Sequence, residues 1–250
     1  MAPEPRAVDP PAGGVAASAK PDGVRDKVRL TFRKADSLRW LSHHDLMRTF
    51  ERMLHRSALP FRRSKGFHPH PRLVFALSLP LGVIGRAEIV ELELDALLEL
   101  DEIRVRLVRQ APAGLEILTI QRIATNETAQ VVGFTYGLVV PADRIAATRA
   151  ALDANPLDAE CWVERTRPSP RRLDIRPFVR RLHLDDATGR LEMDLFLMPQ
   201  GTARPEEVLS LVGLDGLIAD GVSLERVGLE LKQPDSVPGN SVQCSVFSVQ

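Results

Sequence analysis

The spacing of apolar residues along this chain switches between two and about 3.6, in an order that occurs twice. A spacing of two indicates a half-buried strand, and a spacing of 3.6 indicates an amphipathic helix. Between residues 27 and 120 the order is strand, helix, strand, strand, helix, strand, which is the βαββαβ order of a ferredoxin-like domain. The same order returns between residues 134 and 231, without visible sequence identity between the halves.

We therefore predict an α+β protein built from tandem ferredoxin-like (βαββαβ) domains with antiparallel sheets. The predicted domains are 27–126 and 127–232, and the polar segment ATNETAQ marks the boundary. Residues 1–26 and 233–250 have no periodic apolar residues. We predict that they form a disordered arm and a disordered tail.

The first predicted strand, 27–33, points three apolar residues to the core and four polar residues outward: Lys27, Arg29, Thr31 and Arg33. The first and third strands of such a sheet are neighbours, so we expect ion pairs with Glu91 and Glu93. Ser42, with Asp45 three residues later, is the predicted N-cap of a helix that Pro60 ends. Further strands are predicted at 73–79, 90–94, 115–120, 134–140, 161–166, 173–184 and 191–197, and the last predicted helix is 203–214.

Composition excludes several classes of function. The chain has two cysteines, which cannot hold a four-cysteine iron–sulfur cluster. Their number fits a reducing cytoplasm, and the chain has no apolar run of membrane-spanning length. Phosphate-binding GxxxxGK[ST], dinucleotide GxGxxG and nucleophile GxSxG motifs are absent. No cofactor is predicted.

Positive charge is concentrated in one segment of a chain whose formal net charge is +0. Residues 27–72 carry twelve basic and three acidic side chains, an excess of nine positive charges. Such clustering can bind a polyanion even when the whole molecule is neutral. The predicted RNA-binding side chains lie on the helix and on the loop 62–71: Arg48, Arg52, Arg62, Arg63, Lys65, Phe67, His68, His70 and Arg72. Phe67 either stacks on a base or pins the loop to the core.

Histidines offer two other kinds of chemistry. His44, His68 and His70 are candidates for general acid–base catalysis on RNA, which requires two of them to converge. His55, His68 and His70 are the best-placed trio for a metal ion, but His-Pro-His-Pro is more typical of a rigid turn. We predict no metal site.

The segment 38–82 contains LSHHDLMRTFERMLHRSALPFRRSKGFHPHPRLVFALSLPLG. This segment resembles the radical SAM-linked bacterial proteins, a family of unknown function. His68 stands where that family usually has Asn, and His55 where it usually has Arg. The second departure disfavours a ligand role for His55.

The resemblance implies a stand-alone accessory part, because the CxxxCxxC motif of a radical SAM enzyme is absent. Such a protein would hold or deliver a substrate, which the basic segment suggests is RNA. Three hypotheses stay open at this point. They are an RNA-binding accessory module beside a radical SAM enzyme, an RNA-processing or RNA-modifying enzyme, and a protein–protein adaptor.

Overall fold

The computed structural model describes residues 25–166 and 169–233. The predicted arm and tail therefore lie outside the described residues, apart from residues 25, 26 and 233. Asp26 already belongs to the first strand, one residue before the predicted boundary.

The structure is a mixed α+β fold with ten strands and four α-helices in the described residues. Its first half contains β1 (Asp26–Lys34), α1 (His43–Ser57), β2 (Leu73–Phe75), β3 (Ile84–Leu94), α2 (Leu100–Val108) and β4 (Leu115–Arg122). The second half contains β5 (Val131–Val139), α3 (Ile145–Asp153), β6 (Trp162–Arg165), β7 (Arg171–Asp174), β8 (Val179–Asp185), β9 (Arg190–Phe196), α4 (Pro205–Leu211) and β10 (Glu225–Leu231). Short 3₁₀ turns lie at Asp36–Trp40, Ala142–Arg144 and Arg176–Phe178.

Helix α1 has the local signals that the sequence predicted. The Ser42 hydroxyl accepts a hydrogen bond from the Asp45 backbone N–H at 3.2 Å and donates to the Asp45 carboxylate at 2.7 Å. Ala58 takes a left-handed conformation and ends the helix two residues before Pro60. The predicted N-cap and helix end are confirmed.

One eight-stranded sheet runs through both halves in the order β4-β1-β3-β10-β5-β9-β8, with β2 also paired to β3. All pairings are antiparallel except the contact between β3 and β10, where Ile84 and Gly85 pair with Glu225 and Arg226. The prediction of antiparallel sheets is therefore corrected at this point. Strand β2 pairs with the C-terminal part of β3. The N-terminal end of β3 is therefore available to pair with β10.

Three predicted strands differ from the observed ones. The strand predicted at 173–184 is interrupted by the 3₁₀ turn Arg176–Phe178, where Pro177 has no N–H to donate. The strand predicted at 73–79 stops at Phe75, because the backbone carbonyls of Leu77 and Ser78 accept hydrogen bonds from Arg226 instead. Strand β3 begins six residues before the predicted 90–94.

Two of the predicted outward-facing residues of β1 are buried. Arg29 pairs with Glu91 as expected, at 2.8 Å, and Lys27 also contacts Glu91 at 2.8 Å. The segment after β4 covers this face, because the Ala129 N–H donates to Glu91 at 2.8 Å. Burial raises the pKa of Glu91, but hydrogen bonds from Lys27, Arg29 and Ala129 outweigh it and the net pKa is lowered. Arg33 pairs with neither Glu91 nor Glu93 in the described residues and lies 3.7 Å from Glu116 on β4.

The hydrophobic core has two clusters: one lies within the first half, and the other lies mainly in the second half and includes Leu79 and Val83 of the first. In the first, the rings of Phe32, Phe50 and Phe75 pack edge to face with centroids 5.0 to 6.0 Å apart. Such ring pairs add to the free energy gained from burial alone. They fix α1 on the sheet.

A buried ion pair lies where the two halves meet. Arg226 on β10 donates from Nε to Glu88 Oε1 at 2.8 Å, and both side chains are almost fully buried. Lys34 is 1% exposed and donates to the Leu41 carbonyl at 3.0 Å. Burial lowers the pKa of Lys34, Glu88 counteracts this effect, and Arg226 adds to it. The Glu88 carboxylate thus pairs with Arg226, and its negative charge also stabilises the charged form of Lys34.

We predict that Glu88→Gln destabilises the fold by about 3–5 kcal/mol, because it leaves Arg226 buried without a counter-charge. Denaturant unfolding measures the change in the free energy of unfolding. The control is Asp186→Asn, which breaks the exposed pair with Arg149 at 2.7 Å and should cost less than about 1 kcal/mol. Equal stability of the two variants would contradict the prediction.

Candidate nucleic-acid interface

The loop predicted at 62–71 is a short hairpin rather than an irregular segment. Antiparallel bridges join Phe61 to Leu94 and Arg63 to Pro71. Near the tip, the Ser64 N–H donates to the His70 carbonyl at 2.8 Å, and the His70 N–H donates to the Ser64 hydroxyl at 3.1 Å. Residues 65–69 form the tip.

Two of the predicted RNA-binding arginines anchor this hairpin to β3. Arg72 contacts Glu93 at 3.0 Å, and Arg62 lies 3.7 Å from Glu93 and 3.5 Å from Asp95. These acids are more than twenty positions away in sequence, so the local charge count did not include them. Arg62 and Arg72 are therefore compensated cations that hold the hairpin in place.

The tip surface, which we define as Arg63, Lys65, Phe67 and His68, is exposed. Phe67 is fully exposed, which excludes the alternative that it pins the loop to the core. The Arg63 guanidinium lies 5.1 Å from the Phe61 ring centroid. Within the described residues, Arg63 and Lys65 form no ion pair with a carboxylate. The tip thus carries an exposed ring and two cations that pair with no acid in the described residues.

Helix α1 extends this basic surface. The Arg48 side chain is 71% exposed and lies 3.8 Å from Asp45, and Arg52 donates to the Thr49 hydroxyl at 3.1 Å. The His55 ring packs edge to face on Phe61, with centroids 4.9 Å apart, and so joins α1 to the base of the hairpin.

The three candidate catalytic histidines lie in two places, one on α1 and two on the hairpin. His44 is in the first turn of α1, and His70 lies 3.4 Å from Glu51, seven residues or about 10 Å further along the helix. His68 belongs to the exposed tip. His44 and His70 are therefore not brought together as an acid–base pair requires. Among residues 25–166 and 169–233, no group of three or more His, Cys, Asp or Glu is arranged to hold a metal ion.

His43, which the sequence did not single out, is in an unusual environment. Its Nδ1 is buried with no hydrogen-bond partner, and its ring lies 5.3 Å from Phe75. Burial lowers the pKa of His43, and the positive charges of His44 and Lys34 lower it further. These effects favour the neutral form of the ring at the start of α1. No local pattern distinguishes His43 from His44 in the sequence.

Trp40 is a second residue that sequence reasoning missed, and it is 60% exposed just before α1. A second run of basic residues, at 165–181, is compensated at several of its described positions. Arg165 is buried against Glu207 at 2.6 Å, Arg180 pairs with Glu230 at 2.6 Å, and Arg181 pairs with Asp194 at 2.9 Å. The hairpin and α1 carry the clearer candidate surface.

Residues 27–205 match the family described as "Uncharacterized protein conserved in bacteria (DUF2344)". The chain belongs to this family. No curated protein matches it. A solved structure described as "Crystal Structure of an Unknown Protein from Galdieria sulphuraria" is similar over 84% of this chain and 100% of that one, with 14% identity and a TM-score of 0.25. No helix in the described part of the chain is long and apolar enough to cross a membrane.

We predict that His43 makes the protein less stable in mild acid. Because its pKa is lowered in the folded state, the unfolded chain takes up a proton first as the pH falls through about 6.5, and folding loses stability. The variant His43→Gln should therefore lose less free energy of unfolding between about pH 7 and about pH 5 than the wild type. His183→Gln removes an exposed histidine and serves as the control. Parallel profiles for wild type and His43→Gln would contradict this.

Proposed function

We propose that this protein binds single-stranded RNA through the tip surface and the exposed face of α1. The observation that carries the proposal is Phe67, a fully exposed ring on a structured hairpin that also carries Arg63 and Lys65. An exposed aromatic ring costs free energy in water unless a partner covers it. Unpaired bases stack on such rings, and their phosphates contact nearby cations.

Electrostatics favours a polyanion over a neutral partner. The chain as a whole is neutral, so attraction must come from cations that lack a carboxylate partner. In the described residues, most arginines are paired with acids or with backbone carbonyls, whereas Arg63 and Lys65 are not. These two side chains are therefore the phosphate contacts that we propose. The adaptor alternative requires no such contacts.

We predict that Arg63→Ala/Lys65→Ala weakens binding to mixed-sequence single-stranded RNA and flattens its salt dependence. Each lost phosphate contact should reduce the log–log slope by about 0.7. Fluorescence anisotropy at a series of salt concentrations measures this slope. The matched control is Arg104→Ala/Arg109→Ala, which removes two exposed cations at α2. Equal slopes in the wild type and the tip variant would overturn the proposal.

We predict that Phe67→Ala lowers RNA affinity by about 1–3 kcal/mol and leaves the salt slope unchanged, because stacking is not ionic. Its melting temperature should equal that of the wild type, since the ring has no contacts in the fold. Leu97→Ala, which truncates another exposed apolar side chain, is the control. Unchanged affinity in Phe67→Ala would exclude stacking at this position.

We also propose that the protein acts in the cytoplasm beside a radical SAM enzyme. The sequence resemblance in segment 38–82 supports the enzyme partner, and the low cysteine count fits a reducing cytoplasm. We predict that a radical SAM protein is recovered with the purified protein from its native cell after mild crosslinking. Mass spectrometry identifies it, with an unrelated bait as control. Repeated recovery without any radical SAM protein would refute this partner.

We infer further that each half, 27–126 and 127–232, is a ferredoxin-like domain. The strand orders β4-β1-β3-β2 and β10-β5-β9-β8 support this inference. The second half would carry the β6–β7 hairpin as an insertion between its first helix and its second strand.

A further inference from the structure

Trp40 is a large aromatic side chain that the fold leaves in solvent. It ends the 3₁₀ turn Asp36–Trp40, two residues before the N-cap of α1, and it is 60% exposed. Leu81 beside it is 64% exposed. Tryptophan is on average a highly buried residue, so an exposed tryptophan ring together with an exposed leucine indicates a surface that binds a partner.

The Trp40 ring is exposed but held in place. The Arg39 guanidinium lies 4.7 Å from the ring centroid, and Arg39 itself donates to the Ser223 hydroxyl at 2.7 Å. On another side, a Cβ at Gly82 would lie 2.9 Å from Trp40 Cζ3, so the ring occupies the space that only glycine leaves. The Gly82 N–H donates to the Arg39 carbonyl at 2.9 Å. A ring fixed in this way loses little side-chain entropy when a flat partner stacks on it.

Helix α1 separates Trp40 from the hairpin that carries Phe67. Trp40 precedes the first turn of α1, whereas the hairpin contacts the second half of the helix through Glu51 and His55. The helix has 15 residues, which corresponds to roughly 22 Å. The exposed residues His44, Arg48 and Arg52 lie between the two ends.

We propose that Trp40 is a second base-stacking position of the same RNA site, so that the bound strand runs along α1. This inference rests on the proposed function and specifies its ligand as a single-stranded segment of several nucleotides rather than a mononucleotide. Exposed α1 cations contact the phosphates between the two stacked bases. Two aromatic platforms separated by a basic surface are a common design for binding single strands without strong sequence preference.

Tryptophan fluorescence tests the contact directly, because the chain has only two tryptophans. In the variant Trp162→Phe, Trp40 is the sole tryptophan, and excitation at the red edge of the absorption band avoids the single tyrosine. Adding a single-stranded oligoadenylate of about 16 nucleotides should quench it, with the same apparent Kd that anisotropy gives. Emission that does not change at saturating RNA would overturn the proposal.

Affinity measurements with a length series separate the two platforms. Trp40→Ala should weaken binding of the longest oligonucleotides by about five- to 150-fold, the range for one stacked base, with an unchanged salt slope. Oligonucleotides of about 4 nucleotides, which reach only one platform, should lose much less. Trp40→Phe keeps an aromatic ring and should restore most of the affinity.

Trp162→Ala is the matched control, because Trp162 is also exposed and has an arginine, Arg172, 4.6 Å from its ring centroid. It should leave RNA affinity unchanged, and an equal loss in Trp162→Ala and Trp40→Ala would overturn the assignment. Weaker binding in the tip variants with unchanged binding in Trp40→Ala would refute the second platform and leave the proposed function standing. No RNA binding by the wild type would refute both.

Discussion

The buried pair of Glu88 and Arg226 is the interaction on which the arrangement of the two halves depends. Strand β10 pairs with β3 through only two residues on each side, which is little hydrogen bonding for a junction in a shared sheet. The guanidinium adds two bonds to Glu88 and further bonds to the carbonyls of Leu77 and Ser78. Because an unpaired buried charge is so costly, any other placement of β10 is disfavoured.

The same junction positions the candidate site. Arg226 donates to the carbonyls of Leu77 and Ser78, which lie in the segment that leaves β2 and then turns back to begin β3 at Ile84. That detour forms the turn at Gly82 on which Trp40 rests. At the other end of β2, the hairpin is anchored to β3 by Glu93. The short strand β2 pairs with β3, so the hairpin that carries Phe67 and the turn that supports Trp40 lie at opposite ends of β2.

The distribution of charge matters more here than its sum. The acids on β3 neutralise some arginines from the hairpin and others from β1, and acids of the second half neutralise most of its own. Among the cations that form no ion pair in the described residues, Arg63 and Lys65 lie at the tip and Arg52 lies on α1. A protein with no net charge can therefore present a local basic surface that binds phosphates. Salt screens the attraction between these cations and the phosphates, as it screens any ion pair in solvent.

The sequence by itself determined the elements whose signals are local. Ser42 and Pro60 define α1, alternation defines β1, and the cluster of cations near the hairpin is visible in the chain. The tertiary structure alone decided which cations remain uncompensated, because Glu93 meets Arg62 and Arg72 only after β3 is in place. It also decided that the Nδ1 atom of His43 is buried and that Trp40 is exposed. Burial and long-range charge pairing depend on residues distant in sequence, so no local pattern encodes them.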